Sequence, residues 1–198
     1  MVGNILMDTL RFNHQRFARP AVMDNLGLTE KRYIVFTLNR KAIIGNDDEL
    51  RALLVSMMSH TGDIPVVAPL RQLATDAVQR IVNENPLLFE NLHIIEPLDY
   101  LHFGYLTANA LGVVTDSGNV AEEATFNTVP CITLNSYTEH IETVKVGSNV
   151  LVGEDPVLLG EEMARMVDGK WKHCGIPERW DGRSAERIVQ TLLECAAK

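Results

Sequence analysis

The sequence predicts a single α/β domain built on a parallel sheet of about six strands, with helices on both faces. Three observations carry that reading. Apolar runs of strand length alternate with amphipathic helical patterns along nearly the whole chain. A helical pattern stands between almost every pair of runs, and right-handed crossovers of that kind cover both faces of a sheet. The 198 residues suit one domain and are enough to bury a real core.

Taken in order, Gly3–Phe17 has helical composition but precedes the first strand, so it reads as a leading helix or linker. Tyr33–Thr37 (YIVFT) is a buried strand. Asp47–His60 is a helix, with Leu50, Leu53, Leu54, Met57 and Met58 at helical spacing. Ile64–Ala68 is the second strand, closed by Pro69, and Gln72–Asn83 is a helix. Leu92–Ile95 is a short strand before a helix at Tyr100–Asn109. Leu111–Thr115 is a strand before a helix at Val120–Phe126. Cys131–Leu134 is a strand, Glu139–Lys145 a short helix and Asn149–Val152 the last strand. Pro156–Val167 and Arg183–Ala196 are helices, joined by a Pro/Trp/Gly-rich stretch that Trp171 and Trp180 pin to the domain. The organisation expected is a leading segment over 1–30, a Rossmann-like three-layer αβα domain over 31–182 and a terminal helix over 183–198. Both ends read equally as ordinary terminal packing and as seams for another domain.

The net charge of -8 leaves no electrostatic footprint for nucleic acid or an anionic membrane. Any phosphate must be met by local features, such as N–H groups at a helix start. Cys131, Cys174 and Cys195 are odd in number and far apart, which favours reduced thiols. None has a zinc-ligand spacing, so neither a metal nor a redox cofactor is expected. The first residues lack the pattern of a signal peptide, and no apolar run is long enough to span a bilayer. A cytoplasmic location is therefore expected.

The strongest local signal is Thr115-Asp116-Ser117-Gly118-Asn119-Val120-Ala121-Glu122-Glu123-Ala124. It leaves a buried strand and opens a helix, where small residues let backbone approach a ligand and free N–H groups favour a diphosphate. Asn119 and Glu122 have capping-box spacing, and the same pattern describes a plain strand–helix turn. Glu122 and Glu123 point about 100° apart, so both are not expected in the core. One reaches a ligand diol, and the other, Glu122, reads as a helix-start charge. Arg40 and Lys41 follow the first strand as cations or as a solvated loop. Asn135–Glu142 is a polar loop at another strand end, with His140 able to titrate near neutral pH. Phe103 suits either base stacking or core packing. His14, His60, His93 and His173 read as structural or surface residues.

In this order, VGNILMDTL, IVFTLNRK, IIEPLDYLHFGYL, VTDSGNVAEEATFNTVPCITL, SYTEHIETVKVGSNVLVGEDP and WDGRSAERIV resemble the C-terminal half of the non-hydrolysing UDP-N-acetylglucosamine 2-epimerases. The match spans nearly the whole chain, and its specificity lies in the combination. It implies half of a glycosyltransferase-B-like architecture, in which two Rossmann-like domains close over a UDP-sugar. On that resemblance Ser117 and Gly118 hold the diphosphate, with Asn119 where glycine is usual. Glu123 binds the ribose hydroxyls and Phe103 lines the uracil site, while Arg40 and Glu139 have supporting roles.

Besides Asn119, the chain departs from the pattern at four places. Asn39 replaces the usual histidine, Leu38 a glycine, Ala42 an acidic residue, and His140 an arginine. Asparagine hydrogen-bonds but cannot become cationic, and His140 supplies charge only when protonated. The resemblance also implies C2 epimerisation of UDP-N-acetylglucosamine to UDP-N-acetylmannosamine, by anti elimination of UDP and its return to the opposite face. That serves cell-surface polysaccharide precursors. The carboxylates for that chemistry lie in the family's N-terminal domain, so this chain is expected to be weak or inactive alone. The partners implied are UDP or a UDP-N-acetylhexosamine, with either a separate N-terminal polypeptide or a homo-oligomer. A stand-alone nucleotide-sugar-binding or regulatory module, a hydrolysing epimerase and a glycosyltransferase relative stay open.

Overall fold

The structure is a computed structural model describing residues 1–197. The terminal-helix segment expected over 183–198 thus has its last residue, Lys198, outside the described residues. Six parallel strands form one sheet: β1 (Ile34–Thr37), β2 (Val66–Pro69), β3 (Leu92–Ile95), β4 (Gly112–Thr115), β5 (Cys131–Thr133) and β6 (Asn149–Leu151). Their spatial order is β3-β2-β1-β4-β5-β6. The chain builds outward from β1 on one side and from β4 on the other. The carboxyl ends of β1 and β4 are therefore the switch point, where a ligand crevice opens in sheets of this kind.

The helices are α1 (Ile5–Asn13), α2 (Val22–Asn25), α3 (Lys41–Ile44), α4 (Asp47–Ser59), α5 (Gln72–Glu84), α6 (Tyr100–Ala108), α7 (Gly118–Phe126), α8 (Ile141–Lys145), α9 (Pro156–Val167) and α10 (Ser184–Ala196). Alternation along β1 divides the core. Ile34 and Phe36 face a cluster with Leu54, Met57, Val78 and Met163 from α4, α5 and α9. Val35 faces a second cluster with Leu106, Ala121 and Ala124 from α6 and α7. The central strands β1, β4 and β5 are buried on both faces, which is why they read as near-continuous apolar runs, while the edge strands β3 and β6 are partly exposed.

Two short helices were not expected. The run after β1 reads in sequence as a polar loop, yet it turns into α3 and buries Ile43 and Ile44 in the first cluster. The loop proper is thereby cut to Leu38–Arg40. The turn at α2 buries Met23 beneath the second cluster.

The two ends of the chain are tied together. Met7 and Leu10 of α1 form a third small cluster with Trp180. The Asp8 carboxylate accepts from the backbone N–H of Ser184 at 2.9 Å and of Ala185 at 2.8 Å, so α1 caps the start of α10. Trp171 donates its indole N–H to the Ser148 carbonyl at 3.0 Å. Both tryptophans thus hold the stretch that leads to α10. Beyond its first turn α10 leaves the body, exposing Val189, Leu192 and Leu193. Among the described residues no helix is long and apolar enough to cross a membrane.

Candidate functional site

At the switch point lies a polar cleft of about 540 Å³, lined by residues that follow β1, β4 and β5. Asn39 and Arg40 come from the first loop and Asp116–Asn119 from the second. Asn135 and Tyr137–His140 come from the third. The floor is hydrogen-bonded across the strands. Thr37 and Thr115 share a hydroxyl–hydroxyl bond of 2.7 Å at the ends of β1 and β4. The Thr115 hydroxyl also accepts the Ser117 N–H at 3.0 Å, which turns the chain into α7.

Asp116 organises the rim, and its role was not read from the sequence. Its Oδ2 accepts the backbone N–H of Asn39 at 2.7 Å and of Arg40 at 2.5 Å. Its carbonyl accepts the Asn135 side-chain N–H at 3.1 Å. One residue thus braces all three loops. Its other oxygen, Oδ1, is buried with no hydrogen-bond partner among the described residues.

The helix start differs from the expected capping box. Ser117, not Asn119, is the N-cap of α7, and its side chain makes no capping bond. The first N–H groups of α7 are therefore left without a side-chain partner at the cleft wall. A Cβ added to Gly118 would meet no atom within 4 Å, so this turn is open to a ligand. Anions are favoured at such a place by unpaired donors and the helix dipole together.

Glu122 is 3 % and Glu123 7 % exposed, so both are buried, contrary to expectation. They do point apart, but different elements cover them. Glu122 lies under Asn4, which donates to its Oε1, and beside His140, whose Nδ1 is 3.3 Å from the same oxygen. Glu122 is thus a packed partner of these side chains and not a solvated helix-start charge. Burial raises its pKa, against the opposing influence of Asn4 and His140. No hydrogen bond reaches the Glu123 carboxylate from the described residues. Burial first, and the Glu122 charge second, push its pKa up to about 7. Its charge in turn raises the pKa of Tyr100 at the start of α6, where burial is the larger cause.

The cleft brings together Asn39, Arg40, Ser117, Gly118, Asn119, Glu139 and His140. Phe103 and Glu123 are not on its wall. Phe103 is half-buried against the second cluster, and α6 and α7 pack on each other there. Arg40 sits 2.9 Å from Glu154, beyond β6, so the cleft's arginine is partly neutralised in the free protein. Lys41 turns away into α3. Glu154 and Asn4 had no local sequence signal, because each meets its partner more than 100 residues away.

The sheet order and the strand-end cleft define a Rossmann-like α/β domain. The family model for UDP-N-acetylglucosamine 2-epimerase matches residues 1–193, and the chain belongs to that family. It is 32% identical over 203 residues to the UDP-N-acetylglucosamine 2-epimerase of Methanocaldococcus jannaschii, covering 97% of this chain and 54% of that protein. It is 34% identical over 199 residues to the UDP-2,3-diacetamido-2,3-dideoxy-D-glucuronate 2-epimerase of Pseudomonas aeruginosa, covering 98% and 52%. The crystal structure of the M. jannaschii enzyme in complex with UDP-GlcNAc and UDP superposes with a TM-score of 0.75 at 29% identity, covering 96% of this chain and 54% of that one. The chain thus spans about half the length of the relatives it matches.

Proposed function

We propose that the cleft binds UDP or a UDP-N-acetylhexosamine, and that the chain is the nucleotide-binding half of a C2 epimerase acting on UDP-N-acetylglucosamine. The observation that carries this is the uncapped start of α7, with Gly118 open beside it, at the switch point of the sheet. It occurs in a chain whose relative is seen with UDP-GlcNAc and UDP. In this reading Ser117, Gly118 and Asn119 hold the diphosphate by backbone N–H groups. Glu123 takes the ribose hydroxyls once ionised, and Phe103 lines the uracil side. Arg40, Glu139 and His140 support the phosphates and sugar.

The reaction needs a base at C2 and an acid at the leaving oxygen within hydrogen-bond reach. The cleft offers Asn39 where the family has histidine, and an asparagine can orient a ligand but not exchange a proton at neutral pH. The catalytic carboxylates then belong to a second domain, on the same or another polypeptide. The unit over residues 31–182 binds, the segments over 1–30 and 183–198 join it to that domain, and this half is inactive alone. The whole would serve in the cytoplasm, supplying precursors of cell-surface polysaccharide. Asn39 also favours a second reading, a nucleotide-sugar-binding module without chemistry.

Incubation with UDP-GlcNAc, followed by NMR of the products, tests this. The chain alone should give no UDP-N-acetylmannosamine, and addition of the N-terminal half of a relative should restore it. Free N-acetylmannosamine with UDP would identify a hydrolysing enzyme instead. Turnover by the isolated chain would contradict the division of labour.

A further inference from the structure

His140 stands where the cleft meets a second, more apolar hollow of about 550 Å³, formed by Asn4, Ile5, Val146, Pro177 and Trp180. The ring is 40% exposed, while Glu122 beside it is buried. Glu122 Oε1 is 3.3 Å from Nδ1 and also accepts the Asn4 side-chain N–H. Asn4 is itself fixed, because its Oδ1 accepts the Leu6 N–H at 2.9 Å as the cap of α1. The His140 backbone is held as well. Its N–H donates to the Thr138 hydroxyl at 3.1 Å, and its carbonyl accepts the Thr143 hydroxyl at 2.8 Å. Nε2 has no hydrogen-bond partner among the described residues. A ring with one nitrogen 3.3 Å from a buried carboxylate, on the wall of an anion-binding cleft, is placed to use the other.

We propose that Glu122 is a positioning residue that makes His140 a proton-linked anion contact of the cleft. A carboxylate 3.3 Å from Nδ1 favours the tautomer with its proton on that nitrogen. The neutral ring then shows only a lone pair at Nε2, which repels a phosphate oxygen. A proton taken from solvent turns Nε2 into a charged donor, and no bond in the ligand changes. Diphosphate binding beside His140 therefore takes up a proton, and Glu122 governs how fully. An arginine at this place would bind without that exchange. The inference rests on the cleft being a nucleotide-diphosphate site.

The charges around the ring are named by the packing. Glu142 lies 4.0 Å away on α8, and Glu178 lines the adjoining hollow. Glu139, Asp116 and Arg40 share the cleft, with Arg40 paired to Glu154 at 2.9 Å. Glu123, which lies behind the wall, gives up a proton if a ribose diol binds it, and this opposes the uptake at His140.

Calorimetric titration of the chain with UDP-GlcNAc at about pH 7.5, in buffers of different ionisation enthalpy, counts the protons exchanged. The diphosphate of this ligand is a diester and has no proton to exchange in that range, so the count belongs to the protein. Glu123 contributes alike to the wild type and His140→Arg, in which Glu122 is unchanged, so their difference reports on His140. The wild type should take up more protons than His140→Arg, by a fraction of a proton up to about one. Glu122→Gln, which keeps the shape and loses the charge, should weaken binding about threefold to tenfold, and in its background His140→Arg should change the proton count less than it does in the wild type. Glu122→Asp should recover part of both. His140→Arg leaves the buried carboxylate in place, so the comparison stands even if Glu122 variants fold poorly. Equal proton counts in the wild type and His140→Arg, with binding intact, would overturn this inference alone. No binding by the wild type up to about 10 mM ligand would overturn the proposed function, and this inference with it.

Discussion

Asp116 Oδ2 lies 2.7 Å from the backbone nitrogen of Asn39, so the loop after β4 sets the conformation of the loop after β1. The bond crosses the switch point and turns two adjacent loops into one rim. Asp116→Ala removes the acceptor for two backbone N–H groups, which then have only water. Loss of order about 1–3 kcal/mol is expected in urea unfolding. UDP affinity should fall about tenfold or more, because the rim must then be ordered at the cost of binding energy. Asp116→Asn, which keeps one acceptor oxygen, should lie between the two in both measurements.

Arg40 gives the opposite kind of prediction. Its guanidinium is 2.9 Å from Glu154, whose carboxylate also raises the pKa of Glu49. An incoming diphosphate must compete with Glu154 for Arg40. Glu154→Gln should therefore tighten UDP binding by about threefold, and Arg40→Ala should weaken it by about tenfold. Both changes should shrink at high salt, because the pair is part-exposed. Titrations at low and high salt check the direction and the screening together.

Glu123 makes stability depend on pH. Its folded pKa is raised to about 7, above the ordinary carboxylate value of 4.5. The folded state therefore holds a proton that the unfolded state has lost between those two values. Stability is greatest below pH 4.5 so far as this group is concerned, and falls as pH rises to about 7. The full loss is of order 3 kcal/mol. Glu123→Gln should flatten that decline, which urea midpoints measured from pH 5 to 8 would show. The charge that weakens the fold is the one a ribose diol would use, so binding and stability respond oppositely to ionisation.

The sheet was legible because its central strands are apolar runs buried on both faces, and the longer helices carry their own periodicity. The α3 turn was not, since Lys41-Ala42-Ile43-Ile44 is too short to show a period. Within the site, Ser117, Gly118 and Asn119 could be read as a small-residue turn between strand and helix. Which residue caps the helix could not, because that depends on where the Ser117 side chain points. The burial of Glu122 was hidden for another reason. It comes from Asn4 and His140, one 118 residues away in sequence, and a helix pattern says nothing of what lies over it. Asp116 was missed as an organiser because its partners are backbone groups, which leave no trace in residue types.

The most direct test of a working nucleotide site is isothermal titration of the chain with UDP, repeated with Glu123→Ala. Saturable binding that the substitution weakens is the predicted result, and it would place the ribose contact on α7. No saturation at millimolar UDP, or affinity indifferent to Glu123, would contradict the account.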